Sequence, residues 1–575
     1  MERTLKLAVA SILSSFCLVA SAADLSLAIG TRNGDLRALL GINIGPLPAA
    51  SASNADLTTT YRQLGVNLIR THDYYGPLDM ATLYPDRSKD PELSTSYNFT
   101  RPVSSEGRSS DMVFASIVNN GFEPFFRIGD SYNNSKPPTD AELGNWVQAS
   151  INVLKHYRQG QWNGFNSNFR YVEIWNEPDN LTFWPKPFTS TQFFTLYDTT
   201  ARALRSAFPE LKIGGPAVTH NGCTSSNGKA WTAAFLDHVK AQGSPLDFFS
   251  WHIYSNNADE IAACAAYFRQ ALDARGFTSV PTIVSEWNTD DRSVDAVEGL
   301  EVRTKAKGAA ILTGAWIGLQ NRDDIEQSLF YRGPDPSMDA PFFYGIYYAN
   351  GEPKKIGLAW QLWREIGRYT HRLGVSSNQS GIYALAAEND DGARSLLLAN
   401  TGEATTSWTP SFADGKKLAD YRVVTRAVSD ANDSIATVAT NGSSFSLPAK
   451  SVQLALLTPR AQAFAVTATS IGSSDSYTLT ANVRVAAADV GRTGAIYLAA
   501  QAGDTWYLHD GTTWQAYSGG TLPAWQSGSL PSAVAIPVLS KADSRGLKGI
   551  KVYAGYGLDA DDLIRRNQYS LVHTF

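Results

Sequence analysis

Cysteine is scarce in this chain, with three residues in 575. Cys17 lies in an apolar N-terminal run, so Cys223 and Cys264 are all that remain for the rest of the protein. Two cysteines with no histidine cluster beside them exclude a structural zinc centre of the usual four-ligand kind, and no metal or organic cofactor is expected. Charge is modest too, at 18% of residues, with a formal net charge of −5 and a pI near 6.0. That balance lacks the basic footprint of a partner for nucleic acid or an anionic membrane. Beyond residue 22 no apolar run is long enough to span a bilayer, so no membrane anchor is expected. No repeat of fixed period is present. No glycine-rich phosphate turn follows the first predicted strand, where a dinucleotide-binding sheet would carry one.

What is present begins with an export signature. Arg3 and Lys6 precede an apolar run from Leu7 to Ala20, and Ala20-Ser21-Ala22 forms an A-x-A cleavage pattern. Residues 1–22 therefore read as a signal peptide, and the mature protein is expected to be secreted or periplasmic. Phe16 stands before Cys17 where a lipoprotein signal would carry a small residue, which argues against a lipid anchor. In an oxidising compartment Cys223 and Cys264 are candidates for a disulfide. Two buried free thiols are the alternative, because sequence spacing alone does not bring the two together.

With 43% hydrophobic residues the chain has material for several domains. Over residues 38–370 a strand, a loop and an amphipathic segment alternate. The predicted strands are LLGINIG (39–45), NLIRTHD (67–73), EPFFRIGD (123–130), YVEIWNE (171–177), KIGGPAV (212–218), FFSWHIY (248–254), TIVSEWN (282–288) and IEQSLFYR (325–332). Eight such units predict an α/β fold, a (β/α)8 TIM barrel. From 374 to 460 short β-prone runs separated by turn residues predict a β-sandwich, to which a strand from 24–37 is a candidate addition. A C-terminal all-β accessory domain is expected over 463–575.

A barrel of this kind carries its site at the carboxyl ends of its strands. Strand two ends with Arg70, Thr71, His72 and Asp73, and strand three with Arg127 and Asp130. Strand four ends with Asn176 and Glu177, strand six with His252 and Tyr254, and strand seven with Glu286, Trp287 and Asn288. Two carboxyl groups facing each other across one mouth suit glycoside hydrolysis. One protonates the leaving oxygen while the other attacks the anomeric carbon, and burial beside a second carboxylate keeps the acid protonated.

WNEP (175–178) with SEWN (285–288) resembles the clan of retaining (β/α)8 glycosidases. IRTHD (69–73), EIWNEPD (173–179), WHIYS (251–255) and LPAKSVQLALL narrow the resemblance to glycoside hydrolase family 39, over roughly residues 38–460. That family includes β-xylosidases, α-L-iduronidases and exopolysaccharide hydrolases. The resemblance implies Glu177 as general acid/base and Glu286 as nucleophile. It implies Asn176 on the sugar 2-OH, and His72, His252 and Tyr254 lining the pocket, with Tyr254 also holding the nucleophile ionised. Strand alternation turns Arg70 inward to support Glu286. Family xylosidases carry an acidic, aromatic signature and a glycine-rich run after strand eight. This chain has YRGPDPSMDAPFFYGIYYANG (331–351) there, in which only FFYGIYY is similar, so the sequence leaves xylose specificity open.

Among neighbouring residues, Trp287 is expected to stack on a sugar face, with Trp184 and Tyr132 left open. Glu173 reads as a structural carboxylate inside the barrel, and Asp179, Asp290 and Asp291 as solvated loop acids. Metal binding by His220 and Cys223 is disfavoured. Trp506, Trp514 and Trp525 either form a carbohydrate-binding face or fill the core of the last domain. The expectation is a secreted retaining glycosidase acting on an oligo- or polysaccharide, β-xylosidase-like. The alternatives are an endo-acting exopolysaccharide glycosidase of the same family and a non-catalytic carbohydrate-binding protein on this scaffold.

Overall fold

The structure is a computed structural model that describes residues 25–46, 55–72, 74, 76–103, 107–132, 134–290, 297–340, 343–390, 392–438, 444–460 and 463–575. The predicted signal peptide at 1–22, Asp73 and Asp291 fall outside the described residues. Among the described residues no helix is long and apolar enough to cross a membrane.

Strand β1 (Leu25–Asp35) is followed by eight parallel strands that close into a barrel in chain order. They are β2 (Gly41–Asn43), β3 (Leu68–Arg70), β4 (Glu123–Ile128) and β5 (Tyr171–Ile174), then β6 (Lys212–Val218), β7 (Phe248–Tyr254), β8 (Thr282–Asn288) and β9 (Ile325–Phe330). The predicted barrel is present, with its first four strands and its last shorter than their apolar runs. Leu68, Phe125, Tyr171, Phe248, Ile283 and Leu329 fill the lower interior. The outward residues pack against the helix ring in one continuous core.

The reason for one early strand end is local. Strand β5 stops at Ile174 because Trp175 turns to φ 75°, and Glu177 follows at φ 46°. The Trp175 ring drops between Trp146 and Trp184, at centroid distances of 6.0 and 5.2 Å. That descent brings its backbone against Gly129, where a Cβ would stand 3.0 Å from Trp175 Cα. The turn lifts Asn176 and Glu177 out of the ladder and over the mouth.

The predicted sandwich is one nine-stranded sheet folded around a shared core, formed with β1 by β10 (His371–Ser377), β11 (Ile382–Glu388), β12 (Arg394–Asn400), β13 (Thr406–Phe412), β14 (Tyr421–Val428), β15 (Ala436–Val438), β16 (Phe445–Leu447) and β17 (Ser451–Pro459). Strand β1 joins them, antiparallel to β10 and parallel to β13. Strand β12, RSLLLAN, is buried at every position, which its unbroken apolar run anticipates. Leu396 and Leu398 enter the sandwich core, whereas Leu397 joins the barrel core with Leu454 and Leu456 of β17.

The last domain pairs a sheet of β18 (Ala465–Ile471), β19 (Tyr477–Arg484) and β24 (Ala533–Ala542) with a second sheet. That second sheet holds β20 (Thr493–Ala502), β21 (Thr505–His509), β22 (Trp514–Ala516), β23 (Gln526–Ser529), β25 (Lys551–Gly557) and β26 (Tyr569–Thr574). Its short helix Ala560–Arg565 docks on the barrel's last helix, Lys355–Ile366, and on the sandwich. Arg565 and Arg426 both pair with Glu365, at 3.0 and 2.8 Å, and Arg368 pairs with Asp559 and Asp562, at 3.1 and 3.2 Å. Cys223 and Cys264 are joined as a disulfide between the helical segments that follow β6 and β7.

Candidate active site

The site is organised around Arg70, the last residue of β3, whose side chain is fully buried. Its Nε donates to Glu173 Oε2 at 2.7 Å, and Nη1 donates to Glu286 Oε1 at 2.6 Å. Nη2 donates to Asn176 Oδ1 at 2.8 Å, and Nη1 also reaches Asn43 Oδ1 at 3.2 Å. One guanidinium therefore fixes side chains from β2, β5, β8 and the turn after β5. Its fork geometry suits that task, since a lysine would offer a single point charge.

Glu286 is the most constrained carboxylate. Tyr254 OH donates to its Oε2 at 2.7 Å, His72 Nε2 lies 3.4 Å from Oε1, and His252 Nδ1 lies 3.6 Å from Oε2. Burial raises its pKa. His252, Arg70 and the Tyr254 hydrogen bond oppose that rise, and Glu177 adds to it. Burial likewise lifts the Tyr254 phenol well above its ordinary range, so it stays a donor. Burial brings His252 down to about 4 and His72 well below its usual value, with Arg70 contributing to both. Both rings are thus neutral near pH 7.

Glu177 faces this group from the other side. Its Oε1 shares a 2.8 Å hydrogen bond with His252 Nδ1, and its Oε2 accepts from Asn180 Nδ2 at 2.8 Å. An oxygen of Glu177 and an oxygen of Glu286 lie within 4.8 Å of each other and of a His252 ring nitrogen. Among the described residues this is the only trio of His, Cys, Asp or Glu at metal-ligand spacing. A cation there would face the Arg70 guanidinium on the same Glu286 carboxylate, so the trio suits proton and covalent chemistry better than metal binding. His220 and Cys223 form no such group.

Three buried nitrogens in the cluster have no hydrogen-bond partner: Asn176 Nδ2, His72 Nδ1 and His252 Nε2. Buried polar groups are ordinarily paired, so unpaired ones gathered beside two carboxylates are set to meet polar groups of a ligand. Asn176, with its Oδ1 tied to Arg70, has an amide nitrogen left for a ligand.

The structure brings together Arg70, His72, Asn176, Glu177, His252, Tyr254 and Glu286. It does not bring Trp287 to them. Trp287 is fully buried on the outer side of β8, stacked 6.0 Å from Trp363 and edge-on to Phe330 at 5.0 Å. The expected sugar stacking is therefore corrected. Side chains alternate along a strand, and the neighbour of an inward Glu286 must face the helices. Trp184 is also core, against Trp175 and Phe193, whereas Tyr132 is 52% exposed near Phe183.

Asp179 is another correction. It is half-buried, and both its oxygens accept from Thr219, from N at 3.0 Å and Oγ1 at 2.6 Å. Burial lifts its pKa to about 6, opposed by the Thr219 hydrogen bonds and assisted by Glu177. Arg127 pairs with Asp79 at 2.7 Å and stands close enough to His72 to help lower its pKa, and Asp130 accepts from the backbone nitrogens of Ala81 and Lys136. Glu173 is fully buried on Arg70.

Some residues of the site were missed. Asn43 donates to Ser285 O at 2.9 Å while accepting from Arg70, and a lone amide closing the apolar strand GIN was its signal. Tyr331 and Tyr344 pack around Tyr254, at 6.1 and 5.5 Å, and Phe183 stands 6.1 Å from His72. These come from loops, where no period marks them.

Residues 37–283 match the family model of glycosyl hydrolases family 39. Over those residues the barrel is similar to that family. The match to family 39 includes Glu177 and ends just short of Glu286. A β-xylosidase of Geobacillus stearothermophilus is 28% identical over 221 residues, 37% of this chain and 41% of that protein. A β-xylosidase of Caldicellulosiruptor saccharolyticus is 25% identical over 300 residues, 45% and 54% of the two chains. The chain thus spans about half the length of the curated relatives it matches. Among solved structures, a glucosidase from Croceicoccus marinus aligns with TM-score 0.60 at 24% identity, covering 76% of this chain and 99% of that one. A monomeric β-xylosidase from Caulobacter crescentus aligns with TM-score 0.55 at 18% identity, over the same shares. At those identities the solved structures speak for the fold.

Proposed function

We propose that the chain is a retaining, β-xylosidase-like glycoside hydrolase with Glu286 as nucleophile and Glu177 as general acid/base. The observation that carries this is the proximity of the two carboxyl groups, one oxygen of each lying within 4.8 Å of the other and both meeting His252 Nδ1, at 2.8 and 3.6 Å. Retaining enzymes place their carboxyls about 5–5.5 Å apart, whereas inverting enzymes leave roughly 6.5–9.5 Å for a water. The match of residues 37–283 to family 39 and the similarity to two β-xylosidases support the same reading.

In the first step Glu286 attacks the anomeric carbon as the glycosidic C–O bond breaks, and the Glu177 proton passes to the departing oxygen. In the second, Glu177 takes a proton from water, whose oxygen displaces Glu286 and frees the sugar. Arg70 and the Tyr254 hydroxyl keep Glu286 ionised in a site whose burial opposes it. Asn176 Nδ2 meets the sugar 2-OH. Export to the periplasm or cell exterior is part of the proposal, supported by the leader at 1–22 and by the Cys223–Cys264 bridge, which suits an oxidising compartment.

The test is to follow aryl β-xyloside hydrolysis by proton NMR and to treat the enzyme with a 2-fluoro xyloside inactivator. First-formed β-sugar and a glycosylated peptide carrying Glu286 are expected. First-formed α-sugar would overturn the retaining assignment, and label on another residue would overturn the nucleophile.

A further inference from the structure

The last domain contains a second concave site, on one face of the β20–β21–β25–β26 sheet. It is a cavity of about 240 Å³ lined by Tyr497, Trp506, Tyr517, Tyr553 and Tyr569, with Ile564 at its edge. Alternation sorts the lining: Tyr497 and Ala499 of β20 and Trp506 and Leu508 of β21 face it, whereas Ala500 and Tyr507 face the other side. Trp514 stands cross-strand from His509 and lines that other side with Tyr507, and Trp525 packs on the domain core. The three tryptophans therefore do not share a face, and Trp506 alone serves this cavity.

The rings are held in place. Trp506 lies 5.2 Å from Tyr553, Tyr517 N donates to Trp506 O at 2.8 Å, and Tyr517 OH donates to Gly520 O at 2.7 Å. Trp506 and Tyr569 remain 36% and 37% exposed, although burying rings of that size is favourable. A cleft of flat, mostly apolar aromatic faces matches the apolar C–H face of a pyranose ring.

Its position separates it from catalysis. Helices of a (β/α)8 barrel start at the carboxyl ends of the strands and run back to the opposite end. Glu365, in the last turn of the final barrel helix, is where Arg565 docks. The last domain is thus pinned at the end of the barrel away from Glu177 and Glu286.

We propose that this cavity binds a sugar unit of a polysaccharide and anchors the enzyme to the polymer, independently of the catalytic mouth. The choice of sugar as occupant rests on the proposed glycosidase reading.

The experiment is affinity electrophoresis of the full chain in gels containing soluble xylan or mixed-linkage β-glucan, in a Glu286→Ala background so that the polymer survives. Retardation by at least one polymer is expected. Trp506→Ala should weaken it about tenfold, the factor that ~1.4 kcal/mol of ring contact represents. Tyr569→Ala, on an edge strand where truncation leaves no buried void, should weaken it too. Trp514→Ala, on the opposite face, should leave it unchanged. No retardation by either polymer, or retardation indifferent to Trp506 and Tyr569, overturns the proposal. Aryl-glycoside turnover, measured with Glu286 intact, reports separately on the mouth. Turnover without retardation sinks the anchor alone, whereas Trp506-dependent retardation without turnover sinks the glycosidase reading alone.

Discussion

Two clusters of buried charge lie toward opposite ends of the barrel, and their carboxyl groups are driven in opposite directions. At the mouth, Arg70 is a single guanidinium shared between Glu173 and Glu286, with Glu177 close by, and burial wins: the Glu286 pKa is raised. At the seam with the last domain, Asp562 meets Arg566, Arg565 and Arg368. There burial is outweighed, and the carboxyl falls to about 2. The mouth also retains unpaired polar atoms, at Asn176, His72 and His252. Surplus cation makes a stable joint, whereas surplus carboxylate with unpaired polar atoms makes a reactive site.

The sharpest way to break this contrast is at Glu286. Glu286→Ala should reduce turnover of every glycoside by about 10⁴-fold or more, as loss of a nucleophile does. Retained activity would move the chemistry elsewhere. Glu177→Ala should divide substrates by leaving group. Glycosides with poor leaving groups should lose about 10²–10⁴-fold in kcat/KM, and those with good leaving groups much less. Equal loss for both would remove Glu177 from the acid role.

A smaller effect tests the Arg70 charge. Removing a cation raises a carboxyl pKa further, and the nucleophile works only when ionised. Arg70→Met should therefore move the acid limb of the kcat/KM profile to higher pH. An unmoved limb would show that Arg70 does not set the ionisation of Glu286.

At the seam the expected effect falls on stability. The Asp562 value is lower in the folded state than the ordinary aspartate value of 3.8. Its contribution, about 2 kcal/mol, is therefore fully present above about pH 4 and lost as pH falls through about 2. Asp562→Asn should lower the Tm at pH 7 and shrink that acid-range loss, while aryl-glycoside kcat stays unchanged. A change in kcat would mean that the joint reaches the mouth. The smallest expected effect is at Trp287. Trp287→Phe should cost stability without altering KM, and a raised KM would restore it to the sugar.

How much of this was legible can be judged residue by residue. The barrel was, because strand and helix periods are local, and a strand's carboxyl end says where its last inward residue lies. That logic places Glu177 and Glu286 on one mouth, and applied strictly it would have turned Trp287 outward. Asn43 was within reach of the same argument. Asp179 was not: its partner Thr219 lies 40 residues on, and nothing in NEPD announces the pairing.

Period, turn chemistry and composition are properties of neighbours in the chain, so they settled the element types, the eight-unit barrel and which residues stand at strand ends. Which charges pair, which stay unpaired, and whether a tryptophan meets solvent or another ring depend on groups hundreds of residues apart. Arg70 and Glu286 are separated by 216 positions and meet at 2.6 Å. Such energies arise from mutual distance and desolvation, which exist only once the chain has closed around them.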